Sequence, residues 1–325
     1  MLLFWHIRRF KGSIPVILFV FISIFSSCRR SPETIHIIHA GSLSVPVKEA
    51  ADSFMRDNPG IKVLTEAWGS KAGARRISEM DVPCDVYISA DYNVIDIFLI
   101  PGHASWNISF AGNEMAVVFN QGSRYSDEID SNNWYEILLR DDVIYGRSDP
   151  HSDPCGVRAV FTAKLAEIFY DEPALSERLL SRHHKMIRPK ETDLLALLEK
   201  NALDYIFLYR SVAEQHDLNF IELPVQLNLR DPELNKWYGQ ALLEVPGTSP
   251  GETILEKGEA MVYGITVPHK AINHKLSLEF VKYFLSPGGG LDILERNGQN
   301  VLVPYSSSTY KNIPEELRFF ALPGE

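Results

Sequence analysis

The chain has 325 residues, which is long enough for two lobes of ordinary domain size and argues against a single small domain. Hydrophobic residues make up 45% of the sequence and charged residues 23%, a globular composition that excludes collagen-like and intrinsically disordered classes. The formal net charge is −10, so the sequence lacks the basic surface that binding to nucleic acid requires, and we expect no nucleic-acid partner.

Residues 1–27 have the pattern of a targeting segment. Its basic residues come first, at Arg8, Arg9 and Lys11. An apolar run follows at 14–25 and is too short to span a bilayer comfortably. Small residues then lead to Cys28, as in the bacterial lipobox, whose cysteine is acylated and becomes the mature N-terminus. We therefore expect a lipoprotein signal peptide and an extracytoplasmic protein that is lipid-anchored to the bacterial membrane through Cys28, in the periplasm or at the cell surface. A plain cleaved signal and an uncleaved anchor are the alternatives.

From residue 34 onward, short β-rich runs alternate with helical patterns, which is typical of βα units stacked around mainly parallel sheets. In the first part of the chain the pattern predicts strands at 34–39, 61–66, 84–88 and 115–119, and helices at 44–58 and 71–80. The sequence Asn58-Pro59-Gly60 predicts the end of the first helix.

The same alternation continues to the C-terminus. It predicts strands at 143–146, 205–209 and 261–267, and helices at about 155–169, 190–200, 276–285 and 291–296. Crossings near 115–120 and 260–267 would suit a discontinuous first lobe, 28–117 and 262–325, with a second lobe, 118–261, inserted in it. Periodicity alone establishes the α/β class and leaves this division open.

Three predicted helices begin directly after a strand, with a small polar residue at the junction: Ser42, Ser70 and Asp153. Free backbone N–H groups and the positive end of the helix dipole make a helix start a ready anion site, to which a serine hydroxyl can add a hydrogen bond. Gly41 and Gly69 precede the two serines and allow a ligand to approach the backbone closely. For any one of these residues, plain N-capping is the simpler interpretation.

Other candidate residues also have simple structural interpretations. Asp153 followed by Pro154 fits an N-cap with proline at the first helical position. Glu191 lies in an apparent first helical turn, where the helix dipole favours an acid. Tyr209 ends a predicted strand, which is typical of a core tyrosine with a hydrated hydroxyl.

Patterns for enzymatic chemistry are weak. Cys155 with His183 or His184 could act as nucleophile and base, but no nucleophile elbow surrounds them, and the histidines lack metal-binding spacing. Cys84 and Cys155 could pair in an oxidising compartment, although two buried thiols is the simpler interpretation. We expect no enzyme and no cofactor.

A series of short motifs runs in a fixed order from about residue 35 to residue 305. The motifs are His39-Ala-Gly-Ser-Leu43, Gly69-Ser70, Asp85-Val86, Ser89-Ala-Asp-Tyr92, Asn133-Trp-Tyr-Glu-Ile-Leu138, Gly146-Arg-Ser-Asp-Pro150, Asp153-Pro-Cys-Gly156, Asp204-Tyr205, Tyr209-Arg-Ser-Val-Ala213, Gln215-His216 and Val262-Tyr-Gly-Ile-Thr266. In this order and spacing the chain resembles the tungstate/molybdate-binding proteins of the Wtp type, the substrate-binding components of ABC importers.

The resemblance implies a periplasmic-binding-protein fold of type II, with two lobes that close on one oxyanion and deliver it to an ABC permease and its ATPase. Each lobe would be a mainly parallel sheet flanked by helices, and we expect a monomer. The ligand-binding positions carried over from the family are Gly41, Ser42, Ser70, Asp153, Pro154, Cys155, Glu191 and Tyr209. Of these, Asp153 and Glu191 would coordinate the metal centre of tungstate or molybdate directly and expand it toward six-coordination.

This assignment would explain why acids stand in an anion site. Two carboxylates facing sulfate or phosphate would repel it, whereas a hexavalent molybdenum or tungsten centre is a hard Lewis acid that favours oxygen ligands. The alternatives are a binding protein for another oxyanion, such as sulfate or phosphate, and a thiol hydrolase that uses Cys155.

Overall fold

Two separate β-sheets, each flanked by helices, make up the two lobes of the protein. The structure is a computed structural model and describes residues 33–182, 184–246 and 253–324. The expected signal peptide, the expected lipidation site at Cys28 and the candidate base His183 lie outside the described residues. We call the lobe that contains the N-terminal strand the first lobe and the other the second lobe.

The elements follow one another in three groups. The first comprises β1 (Glu33–Ala40), α1 (Ser44–Asp57), β2 (Ile61–Trp68), α2 (Ser70–Ser78), β3 (Val86–Ser89), α3 (Tyr92–Phe98), β4 (Ile108–Gly112) and β5 (Met115–Phe119). The second comprises α4 (Trp134–Leu138), β6 (Tyr145–Ser148), α5 (Pro154–Phe169), α6 (Leu175–Ser181), β7 (Ile187–Arg188), α7 (Glu191–Glu199), β8 (Tyr205–Tyr209), α8 (Arg210–Gln215), β9 (Asn219–Glu222), α9 (Val225–Asn228), α10 (Asn235–Tyr238), β10 (Leu242–Pro246) and β11 (Thr253–Lys257). The third comprises β12 (Val262–Thr266), α11 (His274–Phe284), α12 (Gly290–Arg296), β13 (Asn300–Val301), β14 (Tyr305–Ser307) and β15 (Ala321–Pro323).

The first lobe is built on a sheet of strand order β13-β4-β12-β3-β1-β2. β1 lies parallel to β2 and β3, whereas β12 lies antiparallel to β3 and β4. Helix α1 covers this sheet with residues at helical spacing, among them Val47, Ala50 and Phe54, all buried. Phe54 meets Phe280 of α11 edge to face at 5.3 Å, so helices from the two ends of the chain share one core.

The second lobe has the strand order β7-β6-β8-β5-β9. β6 pairs in parallel with β7 and β8, and β5 pairs antiparallel with β8 and β9. Its core includes the fully buried Trp134, whose ring meets that of Phe207 at 5.9 Å. Helix α5 is buried on nearly all sides, which fixes its N-terminus relative to the end of β6.

The α/β class and the two lobes are confirmed, but the sheets are mixed rather than mainly parallel. Parallel pairing follows when a helical crossover joins two strands of the same sheet. β5 and β12 instead enter their sheets from the other lobe, and they run antiparallel to both neighbours. Because β5 lies in the second sheet from Met115 onward, we propose lobe boundaries close to residues 113 and 261.

Two further features bear on function. Cys84 and Cys155 are both buried and free, as the simpler interpretation held. Within the described ranges, the structure contains no helix long and apolar enough to cross a membrane.

Candidate functional site

The loop after β1 carries the first two predicted ligand residues. Gly41 to Leu43 form a short 3₁₀ turn that leads directly into α1. A Cβ atom added at Gly41 would meet no atom within 4 Å, so the backbone here faces open space and a ligand can approach it. Burial raises the pKa of the Tyr263 hydroxyl on β12, and the half-buried Ser42 opposes this shift.

Ser70 begins α2 and is held by the end of β3. Its Oγ accepts a hydrogen bond from the backbone N–H of Ala90 at 3.1 Å, and its carbonyl accepts one from the Tyr87 hydroxyl. Because the Ser70 oxygen already accepts a bond from the protein, its own proton is available to a ligand.

Asp153 ties the starts of two helices together. As predicted, it is the N-cap of α5 with Pro154 in the first turn, and its Oδ1 accepts from the N–H of Cys155 at 3.1 Å. Its Oδ2 accepts from the N–H of Glu191, the first residue of α7, at 2.8 Å. The side chain is only 7% exposed, so these two bonds compensate for the burial of a charge. The contact brings Asp153 and Glu191 together, although 37 residues separate them in sequence.

The Glu191 carboxyl group lies beside that of Asp153. Burial raises the pKa of Glu191 to about 7, and the hydrogen bond with Asp153 and its negative charge act in the same direction. The Glu191 carboxyl group therefore keeps its proton up to about neutral pH, next to the carboxyl group of Asp153. When both are ionised, they offer oxygen ligands to a hard cationic centre.

Tyr209 ends β8 as predicted and is 8% exposed. Burial raises the pKa of its hydroxyl well above the usual range, so the phenol is neutral. Arg158 Nη1 donates to this hydroxyl at 3.2 Å. The phenolic oxygen thus accepts from Arg158, and its proton can be donated elsewhere.

Arg158 is a functional candidate that the sequence analysis missed. It lies on α5, one turn beyond the capping Asp153. Burial lowers the pKa of Arg158, but Tyr209 of the second lobe and Asp91 of the first outweigh this effect and hold it above the usual range. Arg158 also acts electrostatically on Tyr263. Arg158 therefore places a positive charge beside Tyr209, and Asp91 and Tyr263 of the first lobe lie within its electrostatic reach. The sequence signal that could have identified Arg158 is a basic residue one turn after the acidic N-cap of a helix, Asp153.

The two lobes also touch one another beside α2 and α3. Asn93 of α3 donates from Nδ2 to Glu259 Oε2 at 3.5 Å, and the Lys71 Nζ atom lies 3.8 Å from Glu256 Oε1. Burial raises the pKa of Glu259, and the charge of Asp91 adds to this shift. The first and second lobes thus approach one another next to Ser70, at the start of α2, and at α3.

Cys155 and Pro154 differ from the other predicted residues. Pro154 is exposed and has no N–H group, whereas Cys155 is fully buried with its Sγ 3.8 Å from the Phe207 carbonyl oxygen. Burial raises the pKa of the Cys155 thiol well above the usual range, and the Asp153 charge adds to this. A protonated thiol without solvent access is a poor nucleophile.

The predicted site residues do not form a conventional resident metal site. Among the residues that the structure describes, no group of three or more histidine, cysteine, aspartate or glutamate side chains could hold a metal ion. The arrangement instead combines hydroxyl donors, one cation and a pair of carboxyl groups.

Comparison with known proteins identifies the family. A model for bacterial extracellular solute-binding proteins matches residues 35–299. An uncharacterized solute-binding protein of Petrotoga mobilis is 44% identical over 289 residues, which cover 89% of this chain and 90% of that protein. A molybdate/tungstate-binding protein of Thermococcus kodakarensis is 38% identical over 312 residues, covering 88% of this chain and 86% of that protein.

A solved structure agrees with the fold. The periplasmic molybdate-binding protein of Azotobacter vinelandii superimposes with a TM-score of 0.58 at 13% identity and covers 83% of this chain and 99% of its own. The two-lobed architecture, the family match and the two relatives agree, and the chain belongs to the bacterial extracellular solute-binding protein family.

Proposed function

We propose that the protein captures tungstate or molybdate in the cleft between its lobes and delivers the oxyanion to an ABC importer. One observation carries the proposal: Asp153 and Glu191 meet at two helix starts, near the Tyr209 hydroxyl, which can donate to an oxo ligand. The molybdate/tungstate-binding protein of Thermococcus kodakarensis, which matches most of the chain, supports the same ligand class.

The carboxylates would coordinate the metal centre itself. Each carboxylate oxygen has more than one lone pair, so Asp153 can keep its bonds to the N–H groups of Cys155 and Glu191 and still offer an oxygen to molybdenum or tungsten. Glu191 joins it on losing its proton. This explains the acids better than sulfate or phosphate does, because those anions would meet two like charges.

The remaining residues would hold the oxo groups. Ser70 and Tyr209 each accept a hydrogen bond from another protein group and keep a hydroxyl proton to donate. Ser42 would add its hydroxyl from the turn after β1. The backbone at Gly41 is open to the ligand. Arg158 offsets part of the negative charge that the carboxylates bring together. Pro154 and Cys155 would contribute by shaping the start of α5.

The proposed role is transport without covalent chemistry. A ligand held by residues from both lobes favours the closed state, and closure lets the permease distinguish loaded from empty protein. The burial of Cys155 opposes the thiol-hydrolase alternative. We further propose that the protein acts outside the cytoplasm as a monomer, anchored to the membrane through an acylated Cys28.

Isothermal titration calorimetry of the purified protein with tungstate, molybdate, sulfate and phosphate tests the ligand. We expect binding of the two metal oxyanions and none of sulfate or phosphate; the reverse pattern would overturn the proposal. Asp153→Asn and Glu191→Gln should each weaken tungstate binding. Glu199→Gln is the matched control, because Glu199 ends the same helix and is exposed. Parental affinity in both site variants would exclude coordination by the carboxylates.

A further inference from the structure

Helix α8 of the second lobe lies directly against the first lobe. It begins at Arg210, immediately after Tyr209, and Ser211 in its first turn is fully buried. At the other end of the helix, Gln215 donates from Nε2 to the backbone carbonyl oxygen of Asn297 at 3.2 Å. Asn297 is the C-cap residue of α12 in the first lobe. One short helix therefore links a predicted ligand residue to the opposite lobe.

Gly298 leaves no space between itself and this helix. It follows the C-cap of α12 in the left-handed conformation, with φ +75°, which glycine adopts without strain. A Cβ atom at this position would lie 2.8 Å from the Cα atom of Ser211 and 2.7 Å from Oε2 of Glu214. The Ser211 atom belongs to the backbone and cannot rotate aside as the end of a side chain can. A side chain at residue 298 would therefore displace α8 from the first lobe.

Asn113 holds the first turn of α8 at the point where the chain crosses between the lobes. Its Nδ2 donates to Ser211 Oγ at 2.7 Å, and its Oδ1 accepts from the N–H of Ser211 at 3.4 Å. The backbone N–H of Asn113 donates to the Met261 carbonyl oxygen, in the second crossing, at 3.3 Å. We call the contacts of α8 with Asn113, Asn297 and Gly298 the α8 contact.

We propose that the α8 contact fixes Tyr209 relative to the first lobe, which makes Gly298 and Gln215 positioning residues outside the proposed ligand set. This inference rests on the proposed function, in which Tyr209 shares one oxyanion with Ser42 and Ser70 of the first lobe. A shared ligand needs its donors within about 0.5 Å of the productive arrangement. Because Tyr209 adjoins α8, displacement of the helix moves this tyrosine relative to the first-lobe donors, and the ligand loses bonds.

Gly298→Ala tests the α8 contact, and Gly288→Ala is its matched control. Gly288 has nearly the same backbone angle, φ +76°, but a Cβ atom there would meet no atom within 4 Å. Both variants therefore carry similar backbone strain, and only Gly298→Ala presses on α8. Calorimetry with sodium tungstate should show affinity about tenfold weaker in Gly298→Ala and unchanged in Gly288→Ala. Equal affinities in the two variants would overturn the proposal.

A second pair of variants tests the α8 contact even if Gly298→Ala does not fold. Gln215→Glu keeps the shape of the side chain but cannot donate, so it places a carboxylate against the Asn297 carbonyl oxygen. Gln240→Glu makes the same change of charge inside the second lobe, at a glutamine that donates to the Trp237 carbonyl oxygen, also at 3.2 Å. We expect tungstate binding about tenfold weaker in Gln215→Glu and unchanged in Gln240→Glu. Wild-type affinity in Gln215→Glu would contradict positioning through α8.

The dissociation rate of tungstate distinguishes positioning from a simple loss of folded protein. Displacement of α8 should accelerate dissociation about tenfold at full stoichiometry, whereas a variant that is merely destabilised would bind fewer ions per chain at the wild-type rate. Release of radioactive tungstate into excess unlabelled tungstate measures this rate. A wild type that binds no tungstate overturns the proposed function and the α8 contact with it. A wild type that binds, with Gly298→Ala and Gln215→Glu equal to it in affinity and dissociation rate, overturns the α8 contact alone.

Discussion

Glu191 should make the unliganded protein less stable as the pH rises. Burial and the neighbouring Asp153 raise the pKa of Glu191 from 4.5 to about 7, so the folded state holds this proton more tightly than the unfolded state does. The stabilising contribution of this proton is full below about pH 4.5 and is lost as the pH rises through about 7. The shift corresponds to about 3 kcal/mol, and partial solvent exposure of the side chain reduces this to ~2 kcal/mol.

Glu191→Gln tests this effect because it keeps the shape of the side chain and removes the ionisation. The variant should match wild type near pH 4.5 and exceed its free energy of unfolding by ~2 kcal/mol at pH 8. Urea denaturation of ligand-free protein across this pH range measures the difference, with Glu199→Gln as a control expected to follow wild type. An identical pH dependence in wild type and Glu191→Gln would refute the raised pKa of the buried Glu191 carboxyl group.

Three further predictions concern the structure that supports the site. Asp153→Ala should lower the free energy of unfolding by about 2 kcal/mol, because two N–H groups lose their acceptor; urea denaturation at pH 6 measures it, and an unchanged midpoint would contradict the capping role. Gly156→Ala should destabilise by more than 2 kcal/mol, on the order expected for overpacking, because its Cβ would lie 2.5 Å from a backbone carbonyl oxygen. Gly102→Ala, which meets no atom within 4 Å, is the control, and equal melting temperatures for the two variants would argue against the close approach. Cys84 and Cys155 should resist alkylation in the folded protein and react in urea, as mass spectrometry would detect; rapid native labelling of either would contradict their burial.

Helices and strands with a recognisable pattern in their own residues were predicted close to their observed bounds. The strand at 205–209 was predicted with the bounds Tyr205–Tyr209 because an apolar run lies between Asp204 and Arg210. The helix at 155–169 begins one residue earlier, at Pro154, where the N-cap and proline pattern places it. Helix starts at Ser70 and Glu191 were predicted within a residue for the same reason.

Elements held by distant partners were missed. β9 (Asn219–Glu222) has an apolar run of only two residues, Phe220 and Ile221, and its pairing with β5 defines it as a strand. The hairpin of β10 and β11 is largely exposed, so it lacks the alternation by which a half-buried strand is recognised.

In the candidate site, too, local features were predictable and long-range contacts were not. Its residue types followed from helix starts and the family resemblance, but the contact between Asp153 and Glu191 depends on how α5 and α7 meet. Arg158 escaped prediction because its importance arises from neighbours that folding brings together. Arg158 and Tyr209, for example, lie 51 residues apart. A short stretch of sequence contains no information about contacts between residues so far apart.

The central claim is that Asp153 and Glu191 bind the metal centre of the oxyanion and do not merely surround it. X-ray absorption spectroscopy at the molybdenum edge of molybdate-loaded protein measures this coordination directly. Free molybdate is tetrahedral, and its pre-edge feature is intense because a tetrahedral centre lacks inversion symmetry. We expect the bound ion to lose most of this feature and to show two additional oxygen neighbours at longer distance. A spectrum that retains four-coordinate, tetrahedral molybdate in saturated protein would contradict the claim.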